Sequence, residues 1–176
     1  MGRPEDGEGG TLDDVLTWNV VRVARFVGSR LADRLAGHRL HPIHFGVLAF
    51  LAGVPEMTSS EIARAVLVRP QSIAPLLDGL EERGLTRRTG TRARGRRNPV
   101  QITDAGRQAL DDVWGIALSS NDLSDAGLTQ QESGELNRLL LKIVHATHDA
   151  QQHHADRHTP STTRARQGSA GPREST

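Results

Sequence analysis

Apolar residues recur along most of this chain at three- and four-residue steps, the spacing that turns one face of an α-helix toward a core. Leu12, Val15, Leu16, Val20, Val23, Val27, Leu31 and Leu35 predict one long helix, with Thr11 and Asp14 as its cap and Gly37 as its stop. Pro42 suits the first turn of a second helix, continued by Phe45, Leu48 and Leu51 up to Gly53. Thr58-Ser59-Ser60-Glu61 is a capping-box pattern and opens a short helix carrying Ile62, Ala63 and Val66. After Arg69-Pro70, the positions Ile73, Leu76, Leu77 and Leu80 again mark one buried face, and Gly84 ends it.

The pattern then changes. Leu85-Thr86-Arg87-Arg88 and Pro99-Val100-Gln101-Ile102-Thr103 are short β-like pieces on either side of a Gly- and Arg-rich stretch, which predicts a two-stranded hairpin with a long basic loop. Strands this short need helices to lean on. Helix resumes at Thr103 or Asp104 with Leu110, Val113, Ala117 and Leu118, and breaks between Asn121 and Gly127. Thr129 and Glu132 form another capping-box pattern, followed by Leu136, Leu139, Leu140, Ile143 and Val144. Residues 1–10 and 151–176 carry no apolar period and are expected to be disordered, which leaves 11–150 as the folded part. The fold expected is mainly α with a small β-hairpin, and the long first and last helices have more apolar surface than a small core can cover.

Charge sharpens this picture. The whole chain sums to +1, yet residues 83–107 hold eight arginines against Asp104 alone; that window is +7 and the remainder −6. There is no cysteine, so disulfides, thiol nucleophiles, thiolate metal sites and thiol redox switches are excluded. No run approaches the ~18 apolar residues of a membrane span, and the acidic, Gly-rich start is unlike a signal peptide; a cytoplasmic protein is expected. The aromatics are Trp18, Trp114, Phe26, Phe45 and Phe50, too few for a stacking surface on single-stranded nucleic acid.

Two short helices followed by a basic hairpin describe a winged helix-turn-helix, in which the second helix enters the major groove and the hairpin tip meets phosphates and an adjacent minor groove. Residues 41–110 resemble the MarR family of such regulators. The resemblance rests on Met57-Thr58-Ser59-Ser60-Glu61-Ile62-Ala63, on the run from Leu77 to Leu85, and on Arg96 followed by Ile102-Thr103-Asp104-Ala105-Gly106. It implies a homodimer on a pseudo-palindromic double-stranded DNA operator, acting as a repressor released by a small-molecule effector. It also implies dimerisation helices at 11–37 and 104–150, and Arg96 as the arginine that reaches the minor groove. Two departures stand out. Arg94 replaces the wing aspartate that normally orients that arginine, and Pro75 falls on the outer face of the recognition helix with Gln71, Asp78 and Glu82. A helix starting at Ile73 with Ser72 as cap would place Pro75 in the tolerated first turn. The DNA-contacting residues expected are therefore Arg69, Gln71, Ser72, Pro75, Arg88, Arg92, Arg94, Arg96 and Arg97.

In proteins of this kind the effector lies between the first, second and fifth helices, which points to Trp18, Arg22, His44, Phe45 and Trp114. His38, His41 and His44, with His145, His148, His153, His154 and His158, suggest a zinc-responsive alternative, although the last three fall in the stretch expected to be disordered. A winged helix that serves protein contact after losing DNA binding through Pro75 is the other alternative. No cofactor, metal site or catalytic motif is expected.

Overall fold

In the computed structural model, which describes residues 10–90 and 98–157, helices form where the apolar steps predict them. A 3-10 turn at Leu12–Asp14 precedes α1 (Leu16–Ala36), so the long helix starts at Leu16 and not at Leu12. The reason is local: the Asp14 carboxylate takes both the amide (2.6 Å) and the hydroxyl (3.1 Å) of Thr11, closing a separate turn. At the other end Gly37 stays right-handed at φ −59, and Arg39 supplies the left-handed step at φ 56.

Helix α2 (Pro42–Ala52) has proline in its first turn and His41 as N-cap, whose Nδ1 accepts from the Ile43 amide at 3.4 Å. Helix α3 (Ser59–Ala65) opens on the expected box: the Thr58 amide and hydroxyl each donate to Glu61 at 2.7 Å, and the Glu61 amide donates back at 3.3 Å. A tight turn with Leu67 at φ 55 leads into α4 (Pro70–Glu82). This helix begins at Pro70, with Arg69 as N-cap, and not at Ile73 behind a Ser72 cap. Proline's fixed φ and missing N–H suit the first helical position, and the Ser72 amide already bonds the Arg69 carbonyl at 2.9 Å.

Strands β1 (Thr86–Arg88) and β2 (Val100–Ile102) pair antiparallel with Thr86 opposite Ile102 and Arg88 opposite Val100. Met57, just before α3, adds a further bridge to Val100 through reciprocal bonds of 3.0 and 2.7 Å. Helix α5 (Asp104–Ser119), a 3-10 turn at Ser124–Ala126 and α6 (Gln130–Arg157) complete the order. The Glu132 carboxylate accepts the amide and hydroxyl of Thr129, both at 2.8 Å, which caps α6 and holds its pKa below the usual range. Helix α6 runs on to Arg157, past the residue-150 limit that composition suggests, because Gln and Ala support helix without any apolar period. The chain forms two compact units that part within α6, between Leu136 and Asn137.

The core lies in the first unit. Leu35 and Leu40 meet Val47, Leu48 and Leu51 of α2, Ile62 and Ala63 of α3, and Ile73, Leu77 and Leu80 of α4. Leu85, Val100 and Ile102 bring in the hairpin, and Leu110 and Val113 bring in α5. Burying each such Leu or Ile stabilises the fold by about 1.5–3 kcal/mol. Most of α1 and the turn before it stay outside this core: Leu12 and Val15 ahead of the helix, and Leu16, Trp18, Val20, Val21, Val23 and Phe26 on it, are exposed. On α6, Leu139, Leu140, Leu141 and Ile143 are exposed as well.

The base of the hairpin is stapled to α5. Gly84 turns the chain at φ 69, its carbonyl accepts the Thr103 hydroxyl at 2.6 Å, and that oxygen accepts the Gly106 amide at 3.0 Å. Gly106 packs directly under Leu85, where an added Cβ would lie 2.1 Å from the Leu85 carbonyl oxygen. Only glycine permits that approach.

Candidate nucleic-acid interface

Helix α4 divides cleanly by face. Ile73, Leu77 and Leu80 are buried, while Arg69 at its cap and Gln71, Ser72, Ala74 and Pro75 in its first turns are exposed. The structure thus brings Arg69, Gln71, Ser72 and Pro75 together on one outward surface. Pro75 is the sixth residue of the helix, beyond the first turn in which proline is tolerated without loss. The helix continues through it because three buried apolar residues hold the neighbouring turns to the core.

Arg88 has a different place from the one its arginine-rich neighbourhood suggests. Its side chain is 13 % exposed, and it points back at α4. One guanidinium nitrogen donates to Asp78 Oδ1 at 2.6 Å and another donates to Glu81, while the Arg88 amide donates to Glu81 Oε1 at 3.0 Å. Burial by itself would lower the Arg88 pKa; the hydrogen bonds and charges of Asp78 and Glu81 outweigh it and raise the value. The clamp ties β1 to the last turns of α4 and neutralises two carboxylates on the helix. Asp78 is accordingly half-buried, and Glu82 remains exposed. Spacing carried a signal for this: Asp78 and Glu81 are three apart on one helix face, and alternation along β1 turns Arg87 and Arg88 to opposite sides.

Arg87 lies exposed, donating to Gln101 Oε1 at 3.2 and 3.0 Å across the hairpin. Beyond Arg88 the two strands remain joined, by the Thr89 amide to the Pro99 carbonyl at 3.0 Å and the Gly90 amide to Asn98 Oδ1 at 3.1 Å. Arg92, Arg94, Arg96 and Arg97 lie outside the described residues. In sequence they fall between the two strands.

Of the residues expected around an effector, Phe45 and Trp114 meet, with ring centroids 5.6 Å apart where α2 packs on α5. His44 is half-buried at the start of α2, and its Nδ1 accepts the His41 amide at 3.1 Å. Burial first, then the charges of Arg83 and His41, hold its pKa below the ordinary 6.5. Trp18 and Arg22 sit on the exposed length of α1. Arg22 pairs with Asp13 at 3.1 Å and, with Asn19, Val23 and Phe26, borders an open depression of about 490 Å³. Among the described residues no three His, Asp or Glu side chains converge as they would on a metal ion. Among the same residues no helix is long and apolar enough to cross a membrane.

Comparison with known proteins meets this geometry. The MarR family model matches residues 38–97, from the turn before α2 through the hairpin loop. The HTH-type transcriptional repressor Rv2887 of Mycobacterium tuberculosis is 27% identical over 135 residues, covering 76% of this chain and 97% of the relative. Among solved structures, the transcriptional repressor CouR bound to a 23-mer DNA duplex superposes with a TM-score of 0.67 at 26% identity, over 79% of this chain and 99% of that one. Rv2887 of Mycobacterium tuberculosis in complex with salicylic acid superposes with a TM-score of 0.60 at 25% identity, over 77% and 98%. The winged helix-turn-helix built by α3, α4 and the hairpin, flanked by long helices, is therefore similar to that of MarR-family regulators.

Proposed function

We propose that this chain is a homodimeric, DNA-binding transcriptional repressor whose hold on a pseudo-palindromic operator is released by a small molecule. The observation that carries this is the Arg88 clamp: it ties strand β1 to Asp78 and Glu81 of α4, the helix whose first turns are exposed. A helix of this kind fits the major groove while a basic hairpin beside it meets phosphates and the minor groove. Arg69, Gln71 and Ser72 are the side chains for base edges, and Arg92, Arg94, Arg96 and Arg97 those for phosphates and the minor groove. Arg88 acts through the others, as a positioning residue. The relative CouR, bound to duplex DNA, supports the assignment.

The exposed apolar row on α1 supports a second copy as partner, since a monomer in water rarely leaves so many large side chains uncovered. Two copies related by a two-fold axis present two α4 helices, hence a pseudo-palindrome. The salicylic acid complex of Rv2887 supports a small aromatic acid as the effector, with Phe45 and Trp114 as apolar wall and His44 beside them. Acting on DNA, the protein is placed in the cytoplasm.

The test is a binding titration at several salt concentrations, on the duplex upstream of the protein's own coding region and on a scrambled duplex of equal length. The wild type binds the first more tightly, and salicylate weakens it. Arg96→Ala lowers the slope of log affinity against log salt by about one, as one lost phosphate or groove contact does. Equal affinity for both duplexes would overturn the operator reading, and an unchanged slope would remove Arg96 from it.

A further inference from the structure

Pro75 changes what the backbone of α4 offers. A helical amide at position 75 would donate to the carbonyl four residues earlier, at Gln71; proline has no hydrogen to give, and its ring crowds that carbonyl and tilts it away from the helix axis. Gln71 is the second residue of α4 and exposed, as are Ser72, Ala74 and Pro75, all on the side away from Ile73, Leu77 and Leu80. An acceptor that other helices seal within their own ladder here lacks its usual donor, at an exposed residue of α4.

The rest of that surface makes the acceptor matter. From Pro70 to Glu82 the helix contains no lysine and no arginine. The commonest specific contact in a major groove, a basic side chain on the N7 and O6 acceptors of guanine, is therefore unavailable from within α4. What the helix does present are acceptors and small polar groups, which suit the exocyclic amino groups of adenine and cytosine.

We infer that Pro75 makes the main-chain carbonyl of Gln71 a base-reading acceptor, taking a hydrogen bond from an adenine N6 or cytosine N4 amino group. This rests on the reading of α4 as the groove helix. In the free protein water satisfies the carbonyl. In the groove that water is displaced, and a base without an amino group at that position leaves the acceptor unpaired. Pro75 is thus a specificity-determining residue that acts through its neighbour's backbone.

The experiment is selection by the full chain from a duplex library randomised over about two helical turns. The wild type should enrich a motif in which one position of each half-site is restricted to adenine or cytosine on one strand. Pro75→Ala and Pro75→Val both restore the missing donor, and Val keeps apolar bulk at the site. Both should lose about tenfold of the discrimination at that single position, leave the other positions unchanged, and melt no lower than the wild type. Retention of the restriction in both variants would overturn the inference. So would loss in Pro75→Ala alone, which would assign discrimination to the proline's apolar surface, or an equal weakening at every position, which would assign it to the path of the helix. A wild type that enriches no motif would instead overturn the operator reading itself.

Discussion

Arg88 on the hairpin holds Asp78 on the recognition helix at 2.6 Å, with Glu81 on the same guanidinium. An arginine in a basic stretch is thereby largely shielded from solvent and made into a joint. Arg88→Ala should lower stability by about 1–3 kcal/mol, as loss of charged hydrogen bonds in a partly buried place does. It should also weaken DNA binding on the order of tenfold. The salt slope should stay that of the wild type if Arg88 acts by positioning α4 rather than by contacting phosphate. Arg88→Lys should not restore binding, since an ammonium lacks the fork that reaches two carboxylates. A salt slope reduced by one in Arg88→Ala would show instead that the residue contacts the DNA backbone.

Gly106 and Gly79 make a matched pair. A Cβ at Gly106 would meet the Leu85 carbonyl oxygen at 2.1 Å and Ile102 Cγ1 at 2.8 Å, whereas one at Gly79 meets nothing within 4 Å. Gly106→Ala should cost about 3 kcal/mol or more by forcing the hairpin base off α5. Gly79→Ala, in the middle of α4, should stabilise by about 0.5–1 kcal/mol. Urea unfolding of the two variants checks both signs at once.

Leu67 occupies the turn between α3 and α4 at φ 55 with its side chain 55 % exposed. The left-handed region costs a residue with a Cβ about 1–2 kcal/mol, and little packing offsets it here. Leu67→Gly should raise the melting temperature by about 2–4 °C. A fall on substitution would mean that the partly covered side chain outweighs the strain.

His44 sets a pH dependence of stability. Its folded pKa lies below 6.5, chiefly through burial, so the unfolded chain takes up the proton first as pH falls. Its contribution is therefore complete above 6.5 and is lost as pH drops from there toward the folded value. Urea midpoints measured at about pH 7.5 and about pH 5 should differ less for His44→Gln than for the wild type. Equal differences would place the titration elsewhere.

Period and capping chemistry made most of the first unit legible. The Thr58 box, Pro42 after His41 and the Thr129 box all depend on contacts within four residues, and the turn-rich stretch between two β-like pieces marked the strands. The start of α4 was not legible, because Ser72 and Pro70 are both good helix openers and only the extended backbone of Arg69 decides between them. Nor was the role of Arg88: its partners lie 7 and 10 residues away, and which of two adjacent arginines faces α4 depends on how the strand is set against the helix. The parting of the two units at Leu136 leaves no mark on the apolar pattern, which runs unbroken from Leu136 to Val144.

The scarcity of aromatic residues has an optical consequence. With no tyrosine and two tryptophans, the chain's intrinsic emission comes from Trp18 on α1 and Trp114 on α5 alone. A Trp18→Phe variant would leave one emitter, in ring contact with Phe45 on α2. Any displacement of α2 against α5 would then register as a change in colour and intensity, so this protein can be watched at work without attaching a label.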